Sequence, residues 1–279
     1  MIGVLRVDKV TTRVRAPNPS WLTLDGTNTY LLGAEGVGAV VVVDPGPDLP
    51  VHRTAIESAA AERDAAIAAV VLTHHHADHA QAAGWAGGWG VPALAFDPAL
   101  VTAPTQALGD GAVLQLAGLE LQILHTPGHA SDHLCLRVDQ TGAVLTGDHV
   151  LGRGTTVIAW PDGDMGQYLA SLRRLAKVGA TALHPGHGPT VPDPAGTVAQ
   201  YLAHRLEREA EVVAALAAGD ETPAQIVVRV YAEVDPGLHP AAERTVRAHL
   251  ALLVARGQVV HDVDPTRTDR EEVFRGPRP

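Results

Sequence analysis

Two kinds of hydrophobic pattern divide this chain. Up to about residue 190, short apolar runs alternate with turns rich in glycine and proline, which is typical of β-strands and their connections. The clearest run, residues 38–44, is almost continuously apolar and ends at Pro45, so it predicts a strand buried on both faces. Beyond residue 197 the apolar positions recur at helical spacing. The pattern therefore predicts a mixed α/β part followed by a mostly helical part.

The same patterns define the elements of the first part. Amphipathic stretches predict helices, and short apolar runs between turns predict strands. The strands that follow residue 112 are separated by short turns, so they are expected to form an antiparallel series. The predicted helices are 48–63, 79–89 and 165–178, and the predicted strands are 66–73, 113–116, 119–124, 134–138 and 143–146.

A joint rich in helix-breaking residues, 191–196, separates the second part from the first. In this part Thr222 is a predicted N-cap with Pro223 as the first helical residue, and Gly257 is a natural helix end. Residues after Asp264 are rich in Arg, Glu and Pro, and we expect a loosely held tail. The predicted helices are 198–218, 224–231 and 240–257, with a strand at 258–263. The predicted domains are 1–196, 197–264 and 265–279.

Composition limits the classes of function. The 279 residues are 46% hydrophobic, but no uncharged apolar run approaches the roughly 20 residues of a membrane span. The first residues mix charges with apolar side chains and lack the core of a signal peptide, so we expect a cytoplasmic protein with no membrane partner. The single cysteine, Cys135, excludes an intrachain disulfide. None of these features predicts an oligomeric state.

The net charge of −10 bears on nucleic-acid binding. Tight binding to a polyanion normally uses a concentrated basic face, and no basic run is visible in the sequence. Folding could still gather separate arginines, such as Arg153, Arg173 and Arg174. The charge balance therefore argues against a nucleic-acid role without excluding it.

Four polar turns carry most of the side chains that could bind metal. The first turn, 73–79, follows the apolar run 66–72 and combines four histidines with Asp78. A strand that ends in a tight loop can aim several imidazoles at one point. Imidazoles with one carboxylate are a ligand set that zinc accepts. The other three turns contain His125 and His129, then Asp148, then His184 and His187.

This arrangement resembles the metallo-β-lactamase superfamily, whose signature is His-x-His-x-Asp-His, then a later His, an Asp and a final His. The resemblance implies an α/β fold, the four-layered αββα metallo-β-lactamase sandwich, with two divalent metal ions where its half-domains meet. It also implies the ligands by position. His74, His76 and His129 would hold the first metal, Asp78, His79 and His187 the second, and Asp148 would bridge both.

Several nearby residues have competing interpretations. His187 is preferred over His184 as the final ligand because the family places this ligand inside Pro-Gly-His-Gly. Asp44, at the end of its strand, is either an acceptor for the N–H of a metal-bound histidine or an ordinary turn residue. His133 has either a supporting or substrate role beside the site or a simple packing role. His75 should point away from the metals because side chains alternate along an extended segment.

Two further histidines are expected to be structural. His125 precedes Thr-Pro and should end a strand, and His149 follows the bridging aspartate. Cys135 lies in an apolar strand, where packing is the expected role.

Two segments, 22–31 and 149–156, point to one branch of the superfamily. Together with a C-terminal part that looks like a winged helix, they are similar to the mitochondrial β-lactamase-like endoribonuclease and its bacterial relatives. Fungal polyketide thioesterases share much of the same pattern. Asn28 and Thr155 lie in these segments and are candidates for a supporting or substrate-contacting role. The C-terminal part is either a winged helix or a helical cap that only stabilises the main domain.

The resemblance implies a dinuclear metal-dependent hydrolase. Two metals can share an activated hydroxide, with Asp78 and Asp148 as the catalytic carboxylates. The substrate is expected to be single-stranded RNA or a small-molecule ester or thioester, as in glyoxalase II or acyl-carrier thioesterases. Lactam or lactone opening is less favoured. A catalytically silent binding module is the alternative outside enzymes, but every ligand position is filled. The histidine-rich set favours zinc, and iron or manganese is compatible with it.

Overall fold

The computed structural model describes residues 3–263 and 272–276. The chain divides into two compact units, and the boundary after residue 198 lies close to the predicted domain boundary. The second unit also includes the short segments 127–131 and 157–173, which the predicted first domain contains. The domain boundaries themselves remain a prediction.

The first unit contains a seven-stranded sheet whose spatial order follows the chain. Neighbouring strands are antiparallel from the first to the fourth and parallel from the fourth to the seventh. The strands are β1 (Gly3–Arg6), β2 (Thr11–Arg15), β3 (Asn28–Leu32), β4 (Ala39–Val43), β5 (Ala66–Val71), β6 (Ala93–Ala95) and β7 (Gln106–Ala107).

A second sheet has five strands and contains the predicted antiparallel series. Its first four strands are antiparallel neighbours, and its last strand is parallel to the one before it. The series is confirmed to within one residue at each end. The strands are β8 (Val113–Leu116), β9 (Leu119–His125), β10 (Leu134–Val138), β11 (Val144–Gly147) and β12 (Leu183–Pro185).

The alternation of side chains along β4 explains how the layers pack. Val41 and Val43 face the second sheet, where they join a core that includes Leu121 and Leu136. Val40 and Val42 face the opposite way, into a second core. The strand is therefore buried on both faces, as its apolar run predicts. The second core contains side chains of α1 (Pro50–Ala61) and α3 (Trp85–Trp89).

The helix predicted over 79–89 is not continuous. It begins as the single turn α2 (Ala77–Ala80), tightens to a 3₁₀ turn at Gln81–Gly84, and continues as α3. Hydrogen bonds to Gly46 explain the break: the carbonyl of His79 accepts from the Gly46 N–H, and the N–H of Ala82 donates to the Gly46 carbonyl. Backbone groups used there are diverted from the α-helical ladder.

The C-terminal part of the second unit is built from helices and a two-stranded sheet. Thr222 is an N-cap, as predicted: its hydroxyl accepts from the Gln225 N–H, and the Gln225 side chain accepts from the Thr222 N–H. No helix among the described residues is long and apolar enough to cross a membrane. The helices of this part are α5 (Pro194–Ala217), α6 (Pro223–Val230) and α7 (His239–Ala255), the strands are β13 (Val260–Val263) and β14 (Glu272–Arg275), and α4 (Met165–Leu175) precedes them in the chain.

The prediction of a loosely held tail is wrong for residues 272–275. They form β14, which pairs antiparallel with β13 and closes a small core shared with α5, α6 and α7. Val273 and Phe274 are both buried, and the Phe274 ring stacks on His261. This apolar pair stabilises the strand, which the charged composition of the surrounding sequence does not predict. Residues 265–271 and 277–279 of the predicted tail lie outside the described residues.

Candidate metal centre

The ligand-bearing turns of the first unit follow strand ends. Asp44 follows β4, the histidine-rich turn 73–79 follows β5, Asp148 follows β11, and His187 lies two residues beyond β12. In each sheet the two strands concerned are parallel neighbours, so their carboxyl ends lie at one edge. This pairing brings Asp44 beside the histidine-rich turn in the first sheet and Asp148 beside the turn of His187 in the second.

Three donor atoms converge at the centre of this edge. His187 Nε2 lies 3.2 Å from Asp78 Oδ2 and 3.3 Å from His79 Nε2, and the latter two atoms are 3.4 Å apart. Donors about 3.3 Å apart match a tetrahedral ion with ligand distances of about 2.0 Å, the distance typical of zinc with nitrogen and oxygen ligands. His79 and His187 are almost fully buried. The spacing and chemistry of this trio therefore fit a divalent metal.

Asp148 lies against the same trio through both of its oxygens. Its Oδ1 is 3.5 Å from His79 Nε2 and its Oδ2 is 3.3 Å from His187 Nε2. Asp148 also belongs to a potential metal-holding group with His74 and His79, whose ligand atoms all lie within 4.8 Å of one another. A carboxylate that lies near His74 as well as near His79 and His187 is compatible with the predicted bridging role.

The residues predicted for the first metal are found in both units. His74 and His76 lie in the first unit with ring centroids 4.6 Å apart, and the ring of His74 is 4.3 Å from that of His79. In the second unit, His129 donates from Nδ1 to the carbonyl of Val157 at 2.8 Å. This bond places the proton on Nδ1, which leaves the lone pair needed for metal binding on Nε2. The role of His129 as a ligand stays a prediction.

Asp44 is an acceptor for a candidate ligand, so the first of its two interpretations is supported by the geometry. Its Oδ2 accepts from His79 Nδ1 at 2.8 Å and from the Thr73 hydroxyl at 2.7 Å, while Oδ1 accepts from the Thr73 N–H at 2.7 Å. The bond from Nδ1 fixes the His79 tautomer, with the lone pair on the Nε2 that faces the other donors. Asp44 adopts a left-handed φ of 52°, a conformation that aspartate tolerates better than most residues.

Charge complementarity also favours a cation here. Burial opposes the charged forms, yet Asp148 and Asp78 raise the pKa of His187 to about 9, and the neighbouring carboxylates raise that of His79 well above its ordinary value. Burial alone would raise the pKa of Asp148 and of Asp78, but the two histidines lower both pKa values below the ordinary value. The buried Asp148 and the partly exposed Asp78 thus stabilise positive charge on the histidines, and a divalent metal would supply that charge when it binds.

Besides Asp44, two of the predicted supporting residues contact the ligand turns. His133 Nε2 accepts from the backbone N–H of Asp148 at 3.1 Å. Asn28 donates to the carbonyls of Pro185 and Gly188, on either side of His187. Thr155 is exposed, so its position gives no support to the predicted role.

The remaining histidines lie outside the trio. His184 interacts with Asp8 through Nε2 and with Thr190 through Nδ1, each at 3.3 Å, and belongs to none of the potential metal-holding groups found among the described residues. His75 bonds to Asp132 at 2.9 Å. His125 ends β9 and His149 is fully buried.

One contact of the site was not predicted. The hydroxyl of Thr27 donates to Asp78 Oδ2 at 3.1 Å, and Thr27 forms an isolated backbone bridge with His187. Thr27 lies inside the branch-specific segment 22–31, but nothing in the sequence distinguishes it from other threonines of that segment. The contact arises only when β3 lies beside the turn that follows β12.

Comparison with known proteins agrees with this geometry. The family model of the metallo-beta-lactamase superfamily matches residues 22–187. The chain belongs to this superfamily. A second model, the beta-lactamase associated winged helix domain, matches residues 222–268 and confirms the winged helix. The superfamily typically binds metal ions, and this chain is a hydrolase of the metallo-β-lactamase fold.

Individual relatives cover most of the chain. An atrochrysone carboxyl ACP thioesterase of Aspergillus chevalieri is 37% identical over 76% of this chain and 68% of its own length. A beta-lactamase-like protein 2 homolog of Caenorhabditis elegans is 30% identical over 91% of this chain and 87% of its own length. A metallo-beta-lactamase family protein of Thermus thermophilus has the same fold, with a TM-score of 0.80 and 24% identity over 97% of this chain and 100% of that chain.

Proposed function

We propose that this protein is a dinuclear metal-dependent hydrolase that cleaves acyl thioesters. The observation that carries the proposal is the convergence of Asp78, His79 and His187 at 3.2–3.4 Å, with Asp148 against the two histidines. This trio and Asp148 would hold the second metal, His74, His76 and His129 would hold the first, and Asp148 would be the ligand common to both. Zinc is the proposed metal because imidazole and carboxylate ligands at these separations suit it.

When bound, the two ions supply positive charge for a developing oxyanion and an activated water as the nucleophile. The protein contributes orientation. Asp44 holds the ring of His79, Thr27 holds one oxygen of Asp78, and His133 holds the backbone of Asp148. Because these contacts lock the ligands before substrate arrives, little reorganisation is needed at the reacting centre.

The electrostatics of the C-terminal domain favour an acyl substrate over RNA. Binding to a phosphate backbone depends on arginines and lysines that are available to phosphates. In residues 197–263 and 272–276, five arginines instead form ion pairs with acidic residues of the same segments, and the net charge of the whole protein is −10. The pairs are Arg208 with Glu211, Arg229 with Asp220, Arg247 with Glu243 and Glu272, Arg256 with Glu209, and Arg275 with Glu221.

The names of relatives support the same choice. The Aspergillus chevalieri relative, at 37% identity, is named as a thioesterase that acts on an acyl group carried by an acyl carrier protein. A thioester of an acyl carrier protein or of coenzyme A is therefore the proposed substrate class.

Hydrolysis of single-stranded RNA is the second candidate. The winged-helix domain favours it, because helix-turn-helix folds of this kind often bind nucleic acids. The resemblance to the β-lactamase-like endoribonuclease branch points the same way. The paired arginines weigh against it.

A substrate panel tests the proposal. Zinc-loaded protein is assayed with an acyl-CoA, S-lactoylglutathione, a single-stranded RNA oligomer and nitrocefin, and the Asp148→Asn variant is assayed beside it to detect contaminating hydrolases. We expect turnover of a thioester that the variant lacks. RNA cleavage that depends on Asp148, without thioester turnover, would overturn the proposed substrate class. Nitrocefin turnover alone would identify a lactamase.

A further inference from the structure

Asn28 contacts the loop that carries His187 at three points. We call residues 185–188 the ligand loop. The backbone N–H of Asn28 donates to the Gly186 carbonyl at 2.7 Å, and its Nδ2 donates to the carbonyls of Pro185 and Gly188, each at 2.9 Å. One buried side chain thus bonds to the loop on both sides of His187.

The side-chain amide of Asn28 contacts the ligand loop through its two N–H groups. Both N–H groups have carbonyl acceptors, which fixes the orientation of the amide. Its Oδ1 is buried and has no hydrogen-bond partner among the described residues. Tyr30 contributes one further donor, from its hydroxyl to the Pro185 carbonyl at 2.9 Å. The Gly188 carbonyl has no comparably short bond from another described side chain, since Arg13 lies 3.4 Å away.

The ligand loop has little freedom to shift. A Cβ at Gly186 would lie 2.5 Å from Asp148 Oδ1 and 2.6 Å from His79 Cε1, so the loop backbone packs directly against two other candidate ligands. The Gly186 N–H also donates to the Gly147 carbonyl at 2.7 Å, next to Asp148. A displacement of the loop would therefore change the position of His187 relative to the other donors.

We propose that Asn28 is a positioning residue for the second metal. By holding the carbonyls of Pro185 and Gly188, it keeps His187 Nε2 at 3.2 Å from Asp78 and 3.3 Å from His79. The inference rests on the proposed function, because it takes His187 as a ligand. Asn28 does not itself bind metal or substrate; it acts through the geometry of the loop.

The test measures the zinc affinities of the two sites separately, by competition with a chromophoric chelator. Asn28→Asp keeps the shape of the side chain but brings a carboxylate oxygen to two carbonyl oxygens, and Asn28→Ala removes both donors. Loss of a supporting partner of a metal ligand typically lowers affinity by about 10- to 100-fold. We expect that loss at the second site in both variants, with the first site changed by less than about threefold.

Two control variants keep the test decisive. Thr222→Ala removes the helix cap of the C-terminal domain and lowers stability without touching the ligand loop, so both zinc affinities should stay at wild-type values. Tyr30→Phe removes one donor to Pro185 and leaves Asn28 in place, so it should weaken the second site by only a few-fold. If Asn28→Ala does not fold, the isosteric Asn28→Asp variant decides, and an unchanged second-site affinity in that variant would contradict the inference.

The possible failures can be distinguished. Equal weakening of both sites in the Asn28 variants, or no weakening, would show that Asn28 only stabilises the fold and would overturn the inference. Wild-type protein that binds fewer than two ions would instead overturn the proposed function on which the inference rests.

Discussion

Replacing Asp44 with asparagine tests whether the carboxylate behind His79 sets the metal affinity. Asp44 accepts three hydrogen bonds, two of them at Oδ2, from His79 Nδ1 and from the Thr73 hydroxyl. An asparagine has the same shape but only one oxygen. Whichever way the amide is oriented, its NH₂ group faces either the Thr73 N–H or the pair of donors at His79 and Thr73.

The expected size of the effect follows from this loss. Leaving a buried donor without an acceptor costs about 1–3 kcal/mol. Loss of a partner behind a metal-bound histidine lowers affinity by about 10- to 100-fold, or about 1.4–2.7 kcal/mol. The two ranges overlap, so we expect Asp44→Asn to weaken binding at the second site by at least about tenfold.

The assay is a zinc competition titration of wild type and Asp44→Asn, followed by thermal unfolding of the metal-free proteins. Asp8→Asn is the matched control: Asp8 accepts from two backbone N–H groups and, like Asp44, faces a histidine, but that histidine is His184. The control should bind zinc as wild type does. Affinity of Asp44→Asn within about twofold of wild type would refute the argument.

Three further predictions concern single side chains. Asp148→Asn should keep the fold but lower turnover of the true substrate more than tenfold, and a smaller loss, under about 1.4 kcal/mol, would mean that Asp148 does not bridge. By elemental analysis, His187→Ala should retain one metal per chain and His184→Ala two, and the reverse result would overturn the choice of ligand. Burial and nearby arginines lower the pKa of His249 to about 3. The unfolded chain therefore takes up this proton near pH 6.5 and the folded chain does not, so stability is lost as the pH falls from about 6.5 towards 3. In His249→Leu the acid-side slope of unfolding free energy against pH should be shallower by up to about 1.4 kcal/mol per pH unit, and an unchanged slope would contradict the shift.

Much of the fold and the candidate site can be predicted from local sequence. The antiparallel series of the second sheet is predicted well because each strand is a short apolar run bounded by turns. The ligand turns are visible because Asp148 and His187, like residues 73–79, closely follow such runs. The N-cap at Thr222 is equally local, since its partner lies only three residues away.

What the sequence does not reveal depends on contacts between distant segments. The interruption of the helix after His79 depends on hydrogen bonds to Gly46, more than thirty residues earlier. The roles of Asn28 and Thr27 depend on β3 lying beside the turn that follows β12. Residues 272–275 become a strand only because β13 offers an edge and the C-terminal domain offers a core for Phe274. Periodicity and composition carry no signal for such pairings.

The metal content of the purified protein tests the central claim most directly. Protein prepared under metal-replete conditions, freed of loosely bound ions and analysed for zinc, iron and manganese should contain close to two ions per chain. The seven candidate ligands, among which Asp78 and Asp148 each lie 3.2–3.5 Å from His79 and His187, predict this result. One ion per chain, or none, would contradict a dinuclear centre.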